Sequence, residues 1–350
     1  MTGPDRSAAG IDFDTDAFRR FLDGHFADPQ AEFSLERISG GQSNPTYFVS
    51  HGDRRMVLRK KPAGKILPGA HAIEREYRVL AALYPTEVPV PRPILLHEDA
   101  GLIGTPFYLM ARVEGRVFAD CALPELPPAE RPGIYMAMAD ALAKLHRARP
   151  EEIGLSDYGR PGNYFERQIA RWTRQWRESD SPPIAALDAL ADWLPANLPA
   201  DDGATAIAHG DFRLGNLLFH PSEPRVVAIL DWELSTLGHP LADFSYHCMS
   251  WHIKPGAFRG LGGLDVESLG IPTESEYIRK YCERTGITTP EALAPDWNFY
   301  QAYNLFRIAA ILQGIAKRVE AGTASSDQAV ASGRGARPMA ELAWQFAERA

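Results

Sequence analysis

The chain has 350 residues, 45% of them hydrophobic and 23% charged, with a formal net charge of −8. That is an ordinary globular composition, at a length suited to two domains or one two-lobed enzyme. The negative balance argues against a general nucleic-acid or anionic-membrane binder, but leaves room for a local basic pocket that holds phosphates. Cys121, Cys248 and Cys282 form no CxxC pair, so neither a disulfide partner nor a zinc site is expected, and a reducing compartment fits. The N-terminus has no basic segment followed by an apolar one, and no run is long enough to cross a bilayer, so a cytoplasmic location with no membrane partner is expected.

Residues 1–10 are small and polar and read as an unstructured lead. Asp14 to Phe26 carries Phe18, Phe21 and Leu22 at helical spacing behind acidic residues, which predicts a first helix. Phe33 to Ile38, Tyr47 to Ser50 and Met56 to Arg59 read as strands. Between the first two lies Ser39-Gly40-Gly41-Gln42-Ser43-Asn44-Pro45, a strand–turn–strand arrangement that can present backbone N–H groups to phosphates or simply close a hairpin. Ala72 to Leu83 predicts a helix with Ile73, Tyr77, Leu80 and Leu83 on its apolar side and Glu74 and Glu76 among its polar residues. A strand cation (Arg59) paired with a helix glutamate (Glu76) is the arrangement kinases pose over nucleotide phosphates. Lys60 and Lys61 compete with Arg59 for that place, and Glu76 on a solvated helix face is the plainer alternative.

After the proline-rich Val88 to Pro93, strands are expected at Ile94 to Leu96 and Phe107 to Met110. The chain then leaves the sheet through residues 111–115, a segment where a two-lobed kinase passes between lobes and its backbone holds the adenine. Five strands and one helix thus form a small lobe over residues 30–110, with residues 1–29 as an N-terminal extension and 111–115 as hinge. Residues 116–350 form a larger, mainly helical lobe. Its helices are expected from about residue 129 to Arg147, over Tyr164–Glu178, Asp188–Leu198, Glu274–Thr285 and Asp296–Glu320, and from Pro338 to Glu348. His146 reads as a packed or capping residue. The arginines of the 164–178 helix (Arg167, Arg171, Arg174 and Arg177) could line a pocket for an anionic substrate, while its aromatic residues read as core.

The densest chemical signal is His209-Gly210-Asp211-Phe212-Arg213-Leu214-Gly215-Asn216, followed by two apolar runs around a Pro-containing turn that end at Asp231. Asp211 and Asn216 have the Asp-to-Asn spacing of a kinase catalytic loop, in which the Asp meets the substrate hydroxyl and the Asn holds a metal. Two short runs around a turn predict a hairpin, which would carry Asp231 back toward Asn216. An amide oxygen and a carboxylate are the hard ligands Mg²⁺ takes together with phosphates and water. The plain alternative is that Asp211 and Asn216 shape a turn. Downstream, Gly238-His239-Pro240 opens a helix whose Asp243 either caps N–H groups of the catalytic loop or marks an ordinary helix start.

The order Ser39-Gly-Gly-Gln-Ser-Asn, Val57-Leu-Arg, Glu74-Arg-Glu, Leu109-Met, His209-Gly-Asp…Asn216, Asp231-Trp-Glu and Gly238-His-Pro…Asp243 resembles the aminoglycoside phosphotransferase/choline kinase superfamily over residues 30–330. Arg59-Lys60-Lys61-Pro62, Leu67-Pro68-Gly69-Ala70-His71 and Gly322-Thr323-Ala324-Ser325-Ser326 look like the kinase-like domains associated with acyl-CoA dehydrogenases. The resemblance implies an α+β, bilobal protein-kinase-like fold and an ATP-dependent small-molecule kinase, with GTP as the other candidate nucleotide and Mg²⁺ as cofactor. It implies Asp211 as catalytic base, Asn216 and Asp231 as metal ligands, and Arg59 with Glu76 as the phosphate-positioning pair. The loop Gly40, Gly41, Gln42, Ser43 and Asn44 would cover the phosphates, and the backbone at Met110, Ala111 and Val113 would hold the base. The acceptor would be a small hydroxyl compound, either a hydroxyacyl-CoA or an aminoglycoside or amino alcohol, and the sign of the charge around Asp211 distinguishes these. A nucleotide-binding scaffold without catalysis is the reading from a different class. The sequence leaves the oligomeric state open.

Overall fold

A computed structural model describes residues 11–38, 44–63, 72–160, 162–178, 182–256, 258–320 and 333–350. Contacts divide the chain into two compact units, one of Met1–Gly115 with Val227–Glu233 and one of Arg116–Val226 with Leu234–Ala350. One boundary falls after Gly115. The second does not follow the expected division, because the segment ending in Asp231 and Glu233 packs with the first unit, where Ile229 N–H donates to the Pro89 carbonyl.

The first unit opens with helix α1 (Thr15–His25), whose start is fixed by Asp14 accepting from the N–H groups of Asp16 and Ala17. Strands β1 (Phe33–Arg37), β2 (Thr46–His51) and β3 (Arg54–Lys60) follow, then helix α2 (Ile73–Leu83) and strands β4 (Pro93–His97) and β5 (Phe107–Ala111). The five strands form an antiparallel sheet in the order β1-β2-β3-β5-β4. Phe18 and Leu22 of α1 are wholly buried in one cluster with Tyr47, Met56, Leu58, Phe107 and Leu109. Each such side chain contributes about 1.5–3 kcal/mol by leaving water, so the segment expected as an extension is part of this unit's core.

The twofold period of β3 sorts its cations. Lys60 shares the α1 face with Met56 and Leu58; it is buried and held 2.8 Å from Asp12. Arg59 points to the other face, toward α2, and Lys61 beyond the strand pairs with Glu74 at 2.5 Å.

The second unit is mainly helical: α3 (Arg131–Arg147), α4 (Tyr164–Glu178), α5 (Ala185–Ala196), α6 (Pro240–Cys248), α7 (Glu274–Thr285), α8 (Pro290–Leu293), α9 (Trp297–Glu320) and a C-terminal helix (Ala336–Ala347). Strand β6 (Ala206–Ala208) leads into the Asp211 loop and pairs antiparallel with the segment Thr236–Gly238. The chain then turns through Leu214–Asn216 into β7 (Leu217–Phe219) and, after the turn closed by His220 N–H on the Arg225 carbonyl at 2.8 Å, into Val226–Ile229. Among the described residues no helix is long and apolar enough to cross a membrane.

Candidate active site

Gly210 carries a positive φ of 83°, and a Cβ there would sit 2.7 Å from the Leu234 carbonyl, so glycine is required for the loop to turn into Asp211. The loop's backbone is then anchored by α6. Asp243, buried in the first turn of that helix, accepts from His209 N–H at 2.7 Å and Gly210 N–H at 2.8 Å. It does not cap its own helix, whose start is held by His239 accepting from Leu241 N–H. His146, buried in α3, lies 3.4 Å from Asp243 and 2.7 Å from the Tyr281 hydroxyl, which makes it a bracing core residue. From α9, the buried Arg307 donates to the Gly210 carbonyl and covers the Tyr246 ring.

Asp211 is thereby held with its carboxylate among donors. Tyr246 O–H donates to Oδ1 at 2.5 Å, and Arg213 Nε and Asn216 Nδ2 donate to Oδ2 at 3.0 and 2.9 Å. Arg259 Nη1 stands 4.0 Å from Oδ1. Burial alone would raise this carboxyl group, but the Arg213 cation, the Tyr246 hydroxyl and the Arg259 cation outweigh it and hold Asp211 below the usual carboxylate range. A carboxylate offers about four lone-pair directions; the three hydrogen bonds leave one for an incoming hydroxyl. Asn216 Nδ2 also donates to the Asp211 carbonyl at 2.9 Å, so the amide oxygen is the atom it can offer a cation.

In the first unit, a second cluster forms around Glu76, which is 1% exposed rather than on a solvated face. Arg59 Nε lies 2.7 Å from Glu76 Oε2, a close ion pair whose N–H is not aligned as a hydrogen bond, and Arg59 Nη2 donates to Asp231 Oδ1 at 2.7 Å. Tyr108, which sits directly opposite Arg59 in the β3–β5 register, donates to Glu76 at 3.0 Å. Burial pushes Glu76 up and the Asp231 charge adds to this, while Arg59, Tyr108 and Asn44 pull it down. Burial works against the Arg59 charge too, but Glu76, Tyr108, Asp231 and Glu233 raise its pKa overall. Asp231 has a φ of 65°, a left-handed backbone that Asp tolerates better than most residues.

Several expectations change on this geometry. Asn44 does not turn its side chain toward a phosphate loop: it is 2% exposed and donates to Glu76 Oε1 at 2.7 Å, tying the loop's end to α2. Gly40, Gly41, Gln42 and Ser43 lie outside the described residues, as do the 67–71 and 322–326 segments. The Ala111 N–H is spent on the Arg92 carbonyl at 2.8 Å, so its amide is not the group it can offer a base. Met110 and Val113 lie at the end of β5 and just beyond it. On α4, Arg167 is held by the carbonyls of Gly162 and Arg160, and Arg177 pairs with Asp192. The arginines beside Asp211 are instead Arg213 and Arg259, which no periodicity in the sequence marks. Tyr246 carried one usable signal: it follows Asp243 by three residues and therefore shares its helical face.

The sequence profile of the Phosphotransferase enzyme family matches residues 34–277. Acyl-CoA dehydrogenase family member 10 of Mus musculus is 46% identical over 341 residues, covering 95% of this chain and 31% of the relative. Acyl-CoA dehydrogenase family member 11 of Homo sapiens is 40% identical over 342 residues, covering 96% of this chain and 43% of its own length. The chain thus spans less than half of the curated relatives it matches. A crystal structure of an aminoglycoside phosphotransferase homologue from Ralstonia eutropha superposes with a TM-score of 0.86 at 52% identity, covering 96% of this chain and 99% of that one. The aminoglycoside phosphotransferase APH(4)-Ia, in a ternary complex with ADP and hygromycin B, shares the fold at a TM-score of 0.60 and 15% identity, covering 95% and 98% of the two chains. The five-stranded sheet, the helical second unit and these matches agree: the chain belongs to the phosphotransferase enzyme family and has its kinase-like α+β fold.

Proposed function

We propose that the chain is an ATP-dependent small-molecule kinase that transfers the γ-phosphoryl group to an acceptor hydroxyl. The observation that carries this reading is the Asp211 carboxylate, held ionised with one lone-pair direction left for a donor. In the step proposed, the acceptor oxygen bonds to the γ-phosphorus, the bond to the β-phosphate oxygen breaks, and the hydroxyl proton passes late to Asp211. Asp211 orients the hydroxyl, and Asp243 and Arg307 keep its loop from drifting. Most of the acceleration in such transfers comes from alignment and charge compensation.

The Asn216 amide oxygen and the Asp231 carboxylate are hard oxygen donors, and we assign them as protein ligands of Mg²⁺. Among the described residues no three His, Cys, Asp or Glu side chains cluster into a self-sufficient metal site, which suits an ion completed by phosphates and water. Bound there, the ion would neutralise phosphate charge. Arg59, oriented by Glu76, would contact the phosphates with its guanidinium fork. The loop Gly40 to Ser43 would cover the phosphates, with Asn44 tying its end to Glu76, and Met110, the Ala111 carbonyl and Val113 would meet the base. ATP is supported by the nucleotide complexes of APH(4)-Ia, which are named with ADP and AMP-PNP.

For the acceptor, relatives named for acyl-CoA dehydrogenases suggest a hydroxyacyl-CoA. The charge beside Asp211 supports that over a cationic aminoglycoside or amino alcohol, because its neighbours are Arg213 and Arg259. A non-catalytic scaffold would have no use for a carboxylate so arranged. The test is phosphate-ester formation from ATP and Mg²⁺ across hydroxyacyl-CoAs, sugars, amino alcohols and aminoglycosides. A phosphorylated product from an uncharged or anionic acceptor supports the reading, and the absence of any ester across the panel removes it.

A further inference from the structure

The second unit contains a cavity of about 90 Å³ that has no part in the transfer step. It lies at the far end of a short ladder from Asp211. Ala208, on the loop side, pairs with Thr236, whereas Ala206 pairs with Gly238, and it is Thr205, Gly238 and His239 that line the cavity. A water needs about 10–15 Å³ of such space, so the cavity takes a group several times that size. Phe165, His239 and Tyr300 form an aromatic wall, with ring centroids 5.1 to 6.2 Å apart. Tyr300 is 5% exposed, yet its hydroxyl is not walled in by protein and has no hydrogen-bond partner among the described residues, so it opens on the cavity. Burial, then the Asp296 and Asp202 charges, push its pKa up, and the group stays a neutral hydroxyl.

His239 accepts from Leu241 N–H through Nδ1 and so carries its proton on Nε2, which donates to Asp202 Oδ1 at 3.1 Å. Burial lowers the His239 pKa in spite of Asp202, so the ring is neutral and leaves the Asp202 charge uncancelled. Ala204 N–H also goes to Asp202 Oδ1, and Oδ2 has no partner among the described residues. Glu166, Asp201 and Asp202 thus line the cavity as three carboxylates against the one guanidinium of Arg160, a balance that favours a positive group. The N-terminal turn of α4 lines it as well. Arg167 N–H bonds the Asn163 carbonyl, and the N–H groups of Tyr164, Phe165 and Glu166 before it make no hydrogen bond among the described residues. Free N–H groups of that kind receive anions. We infer that this cavity binds a small amino acid, with its ammonium on Asp202 Oδ2 and the Tyr300 hydroxyl, its carboxylate on the N–H groups that open α4, and its carbon part on the aromatic wall. An ammonium has three donors and no acceptor, which suits a carboxylate and a hydroxyl oxygen without other partners. The inference goes beyond the phosphotransfer reading and does not depend on it.

The test is an NMR titration of the whole chain with glycine, alanine, valine, leucine and γ-aminobutyrate, each beside its matched amine and its matched carboxylic acid. At least one amino acid should shift the Tyr164, Phe165 and Glu166 amides and bind about tenfold or more tightly than both matched compounds, since each of these lacks one set of charge-assisted bonds. Tyr300→Phe keeps the ring against Phe165 and His239 and should weaken that amino acid severalfold. Asp202→Asn should weaken the amino acid and the amine by about tenfold while leaving the carboxylic acid as it was. The comparison among ligands is made on the wild-type chain, so it does not depend on either variant folding. No saturable shift with any compound would mean that the cavity holds only water, and would overturn the inference. An amine or acid that binds as tightly as its amino acid would overturn it too, as would binding that moves other amides and ignores both variants.

Discussion

Replacing Asp243 by alanine removes the acceptor for two buried N–H groups, those of His209 at 2.7 Å and Gly210 at 2.8 Å. Asp243 is 2% exposed, so bulk solvent does not reach either donor directly. Each orphaned donor costs about 1–3 kcal/mol, so the variant should lose about 2–6 kcal/mol, a large part of the roughly 5–15 kcal/mol that holds a typical domain together. Asp243→Asn keeps one acceptor oxygen but turns an N–H₂ toward the second donor, and should lose about half as much. The same change frees the loop carrying Asp211, and a displacement of about 1 Å can cost on the order of a hundredfold in rate. Urea unfolding followed by circular dichroism gives the stability, and hydrogen exchange at the His209 and Gly210 amides reports the site itself. Loss of less than about 1 kcal/mol in Asp243→Ala, with those two amides still protected, would refute the bracing role.

Arg59→Met leaves the Glu76 carboxylate buried beside Asp231 and Glu233, and should destabilise the first unit by about 3–5 kcal/mol in urea titrations, whereas Arg59→Lys should lose less. Gly210→Ala must place a Cβ against the Leu234 carbonyl at a φ of 83°, so a thermal-melt loss below about 1 kcal/mol would contradict the turn geometry. Asp211 and Asp243 both titrate below the ordinary carboxylate range, because donors and cations around them outweigh their burial. Their contribution to stability is therefore complete above the unfolded value near pH 4 and is lost as pH falls through the lower folded values. Wild type should lose stability in acid more steeply than Asp243→Asn, and equal slopes would count against the assignment. Tyr246→Phe removes a donor to Asp211 and should move the acid limb of kcat/KM to higher pH, a shift that loss of packing alone would not cause.

Much of the fold was legible because local periodicity dictated it. The helices Tyr164–Glu178 and Glu274–Thr285 have the bounds their amphipathic patterns predict, and short strand-like runs, one of them alternating, marked all five strands of the first sheet. The helix expected from Asp188 begins earlier, at Ala185, because Asp188 is not a cap: it accepts from Trp176 Nε1 at 2.9 Å, a tertiary contact no local pattern reports. Strand β6 escaped notice for a related reason, being three residues long and stabilised by a partner almost thirty positions away. At the site, the spacing of Asp211 and Asn216 was readable, since a catalytic loop is local in sequence. The surroundings of Asp211 were not: Tyr246, Arg259 and Arg307 arrive from three separate segments. Arg59 was separable from Lys60 only through strand alternation, and Asn44, which looks like a loop residue, is a buried partner of Glu76.

The central claim is that Asp211 directs phosphoryl transfer to a hydroxyl, and its most direct measurement compares wild type with Asp211→Asn, a change that keeps the side chain's shape. With a phosphorylated acceptor in hand, the rate of ester formation from ATP and Mg²⁺ should fall by about 10²–10⁴-fold, while nucleotide affinity by calorimetry stays within a few fold. Undiminished ester formation in Asp211→Asn would contradict the claim.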